Sequence, residues 1–153
     1  MLSIVLVEPE IPQNAGNVAR TCACVGAQLH LVEPMGFRLT SKQLGRAGCD
    51  YWDKVEVRRW PCAEAFFEAH GADELRLFTG AAARSHAEAA YGDATWLVFG
   101  RESRGLDERW LARFADRCVR IPMAAGLRSL NLSNAVAIGA YEALRQQNFP
   151  GLV

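Results

Sequence analysis

Short runs rich in Val, Ile and Leu alternate along the chain with longer segments of helical period, and few architectures accommodate that pattern. The runs Ser3–Val7, Gln28–Glu33, Val55–Arg58, Arg76–Thr79, Trp96–Gly100 and Cys118–Ile121 read as strands. Strands so evenly apolar are buried on both faces, as in a parallel sheet covered by helices. Helices are predicted near Asn14–Val25, Ser41–Ala47, Cys62–His70, Asp107–Phe114 and Asn131–Gln147. The chain therefore reads as α/β, with a largely parallel sheet flanked by helices. Its 153 residues suit one domain, 1–153, with room for a sizeable core. The alanine-rich stretch Thr79–Asp93 is the least regular and reads as a loop.

Half of the residues are hydrophobic and 22% are charged, which excludes disordered and collagen-like classes. No apolar stretch reaches the roughly 18–20 residues of a spanning helix, and no basic segment precedes an apolar one at the start. A cytoplasmic location away from membranes is expected. Lys plus Arg and Asp plus Glu are both 17, so the whole molecule exerts no net pull on a polyanion. A nucleic-acid partner must be held by a local patch, and arginine, which supplies nearly all of the basic residues, suits phosphate well. The cysteines, Cys22, Cys24, Cys49, Cys62 and Cys118, are odd in number and lack C-x-x-C spacing. They fit a reducing compartment. With His30, His70 and His86 also far apart, no metal site is expected.

The last predicted helix carries Leu132, Ala135, Val136, Gly139, Ala143 and Leu144 on one stripe, while Ile138 and Tyr141 make the other side apolar too. Cover on both faces is required. The small residues Ala135, Gly139 and Ala143 would admit a second helix in a symmetric dimer; burial within the monomer is the alternative.

Three constellations concentrate polar groups. The first, Glu8-Pro-Glu-Ile-Pro-Gln-Asn-Ala-Gly-Asn-Val-Ala-Arg20, follows the first strand, where open α/β sheets bind ligands. Asn14 is placed to cap the helix. Arg20 near a helix N-terminus opposes the dipole, so it calls for an anion, either a ligand or Glu8 or Glu10. The second, Phe99-Gly-Arg-Glu-Ser-Arg-Gly-Leu106, is a strand end running into a Gly-flanked turn. The third, Ile121-Pro-Met-Ala-Ala-Gly-Leu-Arg-Ser-Leu-Asn-Leu-Ser-Asn-Ala135, is a loop entering the last helix, for which Ser129 or Asn131 is the cap. The glycine signatures of dinucleotide sites and P-loops and the G-x-S-x-G elbow are missing.

In this order the three segments resemble the motifs of the SPOUT superfamily of RNA methyltransferases, in particular its small TrmL-like members, over nearly the whole chain. The resemblance implies a deep trefoil knot over about residues 75–149 and an obligate homodimer with active sites at the subunit interface. It implies S-adenosylmethionine as methyl donor, without a metal, and 2'-O-methylation of the wobble nucleotide of tRNA, cytidine or modified uridine 34. Methylation of another RNA such as rRNA, or a non-catalytic RNA-binding dimer, are the alternatives. By the same resemblance Phe78, Thr79, Gly100, Ile121, Met123, Ser129 and Leu130 line the cofactor pocket. Arg20 orients the target nucleotide through its phosphate, Glu102 orders the loop around Arg20, and Asn131 braces the knot loop. Asn14 and Ser129 also match motif positions. Arg20, Arg38, Lys42, Arg46, Arg104 and Arg128 are the candidate phosphate contacts. Arg101 departs from the family pattern, which has proline before the glutamate.

Overall fold

A computed structural model of the chain describes residues 1–38 and 51–153. The predicted helix Ser41–Ala47 lies outside the described residues, as do Lys42, Arg46 and Cys49. Strand β1 (Ser3–Val7) leads through helix α1 (Pro12–Val25) to β2 (Gln28–Val32) and β3 (Val57–Trp60). Then come α2 (Ala63–His70), β4 (Leu75–Phe78), β5 (Trp96–Phe99), α3 (Glu108–Arg113), β6 (Cys118–Val119) and α4 (Leu132–Gln146). The strands form a six-stranded sheet in the order β3-β2-β1-β5-β4-β6, and all its pairings are parallel.

Alternate residues of each strand feed opposite sides of the sheet. Ile4, Leu6, Leu29 and Leu31 join Val18, Val136 and Ala140 beneath α1 and α4. Val5, Val7, Val98 and Leu77 join Phe66, Phe67, Trp110 and Phe114 beneath α2 and α3. Helix α1 starts at Pro12, whose fixed φ and missing N–H suit a first helical position, and stops at Gly26, which holds a φ of 68°.

Three expectations shift. The third strand begins two residues later than predicted, because Val55 closes a 3-10 turn over Trp52–Lys54. Trp60 instead belongs to β3 and donates from its indole to His30 Nδ1 at 3.1 Å. The small residues of α4 face the chain's own core, not a second helix: Gly139 abuts Phe78 so closely that a Cβ there would lie 2.7 Å from the ring. The outer side of α4 shows Ile138 and Tyr141, 39% and 50% exposed. Finally, the stretch after β4 is pinned on two sides. His86 and Arg120 exchange backbone bonds with the opposite segment through His86 N–H to Arg120 and Arg120 N–H to Arg84, while Gln146 of α4 and Gln147 just after it donate to Ala89 and Gly92.

Candidate active site

β1 and β5 sit side by side at the centre of the sheet, with β2 and β3 to one side and β4 and β6 to the other. The loops leaving β1 and β5 meet beyond the carboxyl ends of the strands, where ligands of open α/β sheets bind. A cavity of about 440 Å³ occupies it. Its walls include every predicted cofactor residue: Phe78, Thr79, Gly100, Ile121, Met123, Ser129 and Leu130. Phe78 stacks on Phe99 with ring centroids 4.5 Å apart, forming a rigid floor. Gly126, at φ 82°, lets the loop turn between Ala124 and Leu127 and return to α4.

The cavity is lined by the apolar residues Ile121, Met123 and Leu130 and also by a chain of polar groups. Asn131 caps α4 through Oδ1, which accepts from the Ser133 and Asn134 amides at 2.9 and 3.3 Å. Its Nδ2 donates to Asn14 Oδ1 at 3.0 Å, and Asn14 Nδ2 donates to Glu102 Oε1 at 3.0 Å. Glu102 also accepts from the backbone N–H groups of Glu10 and Ile11, at 2.7 and 3.1 Å. Asn14 therefore does not cap α1. Ile11 holds the cap position without a side-chain bond, and the Glu102 carboxylate supplies negative charge at that helix N-terminus instead.

The turn that carries Glu102 folds tightly on itself. Arg101 and Gly105 exchange N–H···O bonds at 3.2 and 2.8 Å, and a Cβ on Gly100 would lie 2.1 Å from the Gly105 carbonyl carbon. Ser103 donates from N and Oγ to Glu10, each at 2.8 Å. Those bonds hold the Glu10 carboxyl below its usual pKa. Arg104 and Arg128, both exposed, stand on the cavity wall.

Arg20 is elsewhere. It lies exposed in a separate groove of about 340 Å³ between α1 and α4, with Asn17, Thr21, Ser133, Asn134 and Tyr141. Its guanidinium sits 4.8 Å from the Tyr51 ring centroid. Glu102 consequently orders the start of α1 and not a loop around Arg20; Glu8 and Glu10 are taken by Arg101 and Ser103. Arg38 is exposed and outside the cavity. Ile11, Ser103 and Ala135 also line the site; they lie within the three constellations read from sequence, but the sequence assigns them no cofactor or catalytic role there. Among the described residues no His, Cys, Asp and Glu cluster could hold a metal, and no helix is long and apolar enough to cross a membrane.

The profile of the SpoU rRNA Methylase family matches residues 1–141. The chain belongs to this SpoU methylase family. A SpoU relative from Escherichia coli K12, a tRNA (cytidine(34)-2'-O)-methyltransferase, is 47% identical over 154 residues, spanning 100% of this chain and 98% of its own. A solved structure concerned with 2-OH methylation of C/U34 on tRNA superposes with a TM-score of 0.90 at 49% identity, covering 97% of each chain. The SpoU methyltransferase AviRb of Streptomyces viridochromogenes, in complex with AdoMet, gives a TM-score of 0.82 at 26% identity, over 97% of this chain and 58% of that one.

Proposed function

We propose that the chain transfers a methyl group from S-adenosylmethionine to the ribose 2'-hydroxyl of the wobble nucleotide, cytidine or modified uridine 34, in the tRNA anticodon loop. One observation carries the reading beyond family membership. The cavity sets an apolar wall, Ile121, Met123 and Leu130, against the hydrogen-bonded row Asn131–Asn14–Glu102. Such a site fits S-adenosylmethionine in volume and chemistry, with apolar surface against which the adenine ring packs and a few fixed polar groups for orientation. When bound, that molecule supplies a methyl group activated by a sulfonium.

The protein's part is to position the acceptor and exclude water. Asn14, Glu102, Ser129 and Asn131 form the fixed side of the site. Arg20 binds the phosphate beside the target nucleotide; a guanidinium keeps its proton, so it orients the hydroxyl and does not deprotonate it. Because Arg20 stands outside its own chain's cavity, it serves the site of a second protomer. The reading therefore includes a homodimer joined through the outer faces of α1 and α4. Arg38, Lys42, Arg46, Arg104 and Arg128 extend the phosphate-binding surface. The chain acts as one domain in the cytoplasm, threaded as a trefoil knot over about residues 75–149.

The SpoU family description names rRNA, so rRNA is the competing substrate. Tritiated methyl transfer to bulk tRNA and to rRNA, with mapping of the labelled nucleotide, decides between them. Label at nucleotide 34 is expected; label confined to rRNA overturns the tRNA assignment. If calorimetry finds no S-adenosylmethionine binding, the protein is a bare RNA binder.

A further inference from the structure

The turn after β5 is fastened to the β1–α1 loop at its base as well as at its tip. At the tip, Glu102 and Ser103 bond to the segment Glu10–Asn14. At the base, Arg101 donates from Nε to Glu8 Oε2 at 2.7 Å and from Nη1 to Asp107 Oδ1 at 2.9 Å. The Arg101 and Glu8 side chains are only 14% and 16% exposed, unlike the pair Arg58–Glu56, where both exceed half. A pair so shielded is weakly screened, and removing one member strands the other. Glu8 also holds a φ of 54°, a left-handed conformation unfavourable for a residue with a Cβ. Such strain persists where surrounding contacts over-determine it, and the bond to Arg101 is one of them. Asp107, at the start of α3, spends its carboxylate on Arg101 and makes no side-chain cap of its own.

The Arg101–Gly105 bonds close the turn into a ring. Fastened only at its tip, it would pivot and carry the Glu102 carboxylate with it. We propose that Arg101 is a positioning residue: its pairs with Glu8 and Asp107 fix the base of the turn and thereby hold Glu102 on Asn14 and the start of α1. A proline here, as in the family pattern, would restrain the backbone through its ring but could not make the Arg101 N–H bond to Gly105. This chain achieves the restraint through a side chain. Arg101 thus acts on the polar residues of the cavity, while Ile121, Met123 and Leu130 belong to a separate segment of its lining.

For its kinetic consequence the proposal rests on the methyl-transfer reading; for its structural consequence it does not. The test compares wild type, Arg101→Met, Glu8→Gln, the double variant and Arg101→Lys. Amide hydrogen exchange reads the bonds to Glu102 directly. Glu10 and Ile11 amides should exchange about tenfold faster in Arg101→Met while Val5 in β1 is unchanged, and the double variant should be no faster than the single one. Transfer to RNA should fall about tenfold in kcat, with the dissociation constant for S-adenosylmethionine within about threefold of wild type and Arg101→Lys intermediate. Unaltered exchange at Glu10 and Ile11 overturns the proposal. So does acceleration that is equal at Val5, which marks general loss of stability, or additive effects of the two single changes. A wild-type protein that methylates no RNA would refute the methyl-transfer reading alone, and the exchange data would still decide the role of Arg101.

Discussion

Asn14 uses both ends of one carboxamide, accepting from Asn131 and donating to Glu102. No other side chain of that size does both. Asn14→Asp would set a second carboxylate against Glu102, so urea denaturation should show a loss of about 1–3 kcal/mol, larger than that of Asn14→Ala, together with lost methyl transfer. Arg20, by contrast, lines the separate groove and not the cavity, and Arg20→Ala should bind S-adenosylmethionine normally in calorimetry while turnover disappears; retained turnover would remove Arg20 from the reaction. His30 gives a pH signature. Its Nδ1 accepts from Trp60, so the proton sits on Nε2, which is buried without a partner. Burial, and then the nearness of His70, push its pKa down to about 4. The unfolded chain takes up this proton near pH 6.5. Stability is therefore full above that pH and falls by about 3 kcal/mol as the pH drops from 6.5 to 4. The urea midpoint should decline over that window in wild type and decline less in His30→Gln. These roles were unevenly legible. Asn14 was visible as a polar residue at a helix start, but its partners are 88 and 117 residues away, so local sequence suggested a cap. The Arg101 pair with Glu8 spans 93 residues and left no local trace at all.

At the scale of elements, α4 decides how the site is floored. Gly139 lets Phe78 lie flat on Phe99. Gly139→Val would push the Phe78 ring into the cavity it lines, costing about 1–3 kcal/mol by overpacking and weakening S-adenosylmethionine binding; calorimetry and melting together check both. The four described helices and five of the strands lie close to where apolar period places them, since each buries a contiguous apolar stripe or run. The direction in which α4 turns its small residues was not readable. A glycine that admits a neighbouring helix and one that admits an aromatic ring look the same in sequence, and Phe78 lies more than fifty positions earlier. The third strand slipped by two residues for a related reason: Val55 has strand propensity, but the 3-10 turn before it claims its backbone.

At the scale of the whole molecule, the proposed homodimer makes its own prediction. Ile138, Tyr141 and the groove around Arg20 form a continuous outer surface of α1 and α4. Tyr141→Glu would bury a charge in an interface there, so sedimentation should shift toward monomer and transfer should fall with it, whereas cofactor binding to the monomer's own cavity should persist. Persistence of the dimer would move the interface elsewhere. The strand order also has a consequence in time. β1 is synthesised well before β5, one of its two neighbours, with Ser3 paired to Trp96. At about 5–20 residues per second, translation leaves that flank of β1 without its mate for roughly 5–20 s. During that interval that edge of β1 offers unpaired backbone N–H and C=O groups flanked by apolar side chains, and the growing polypeptide is most exposed to aggregation while still tethered to the ribosome.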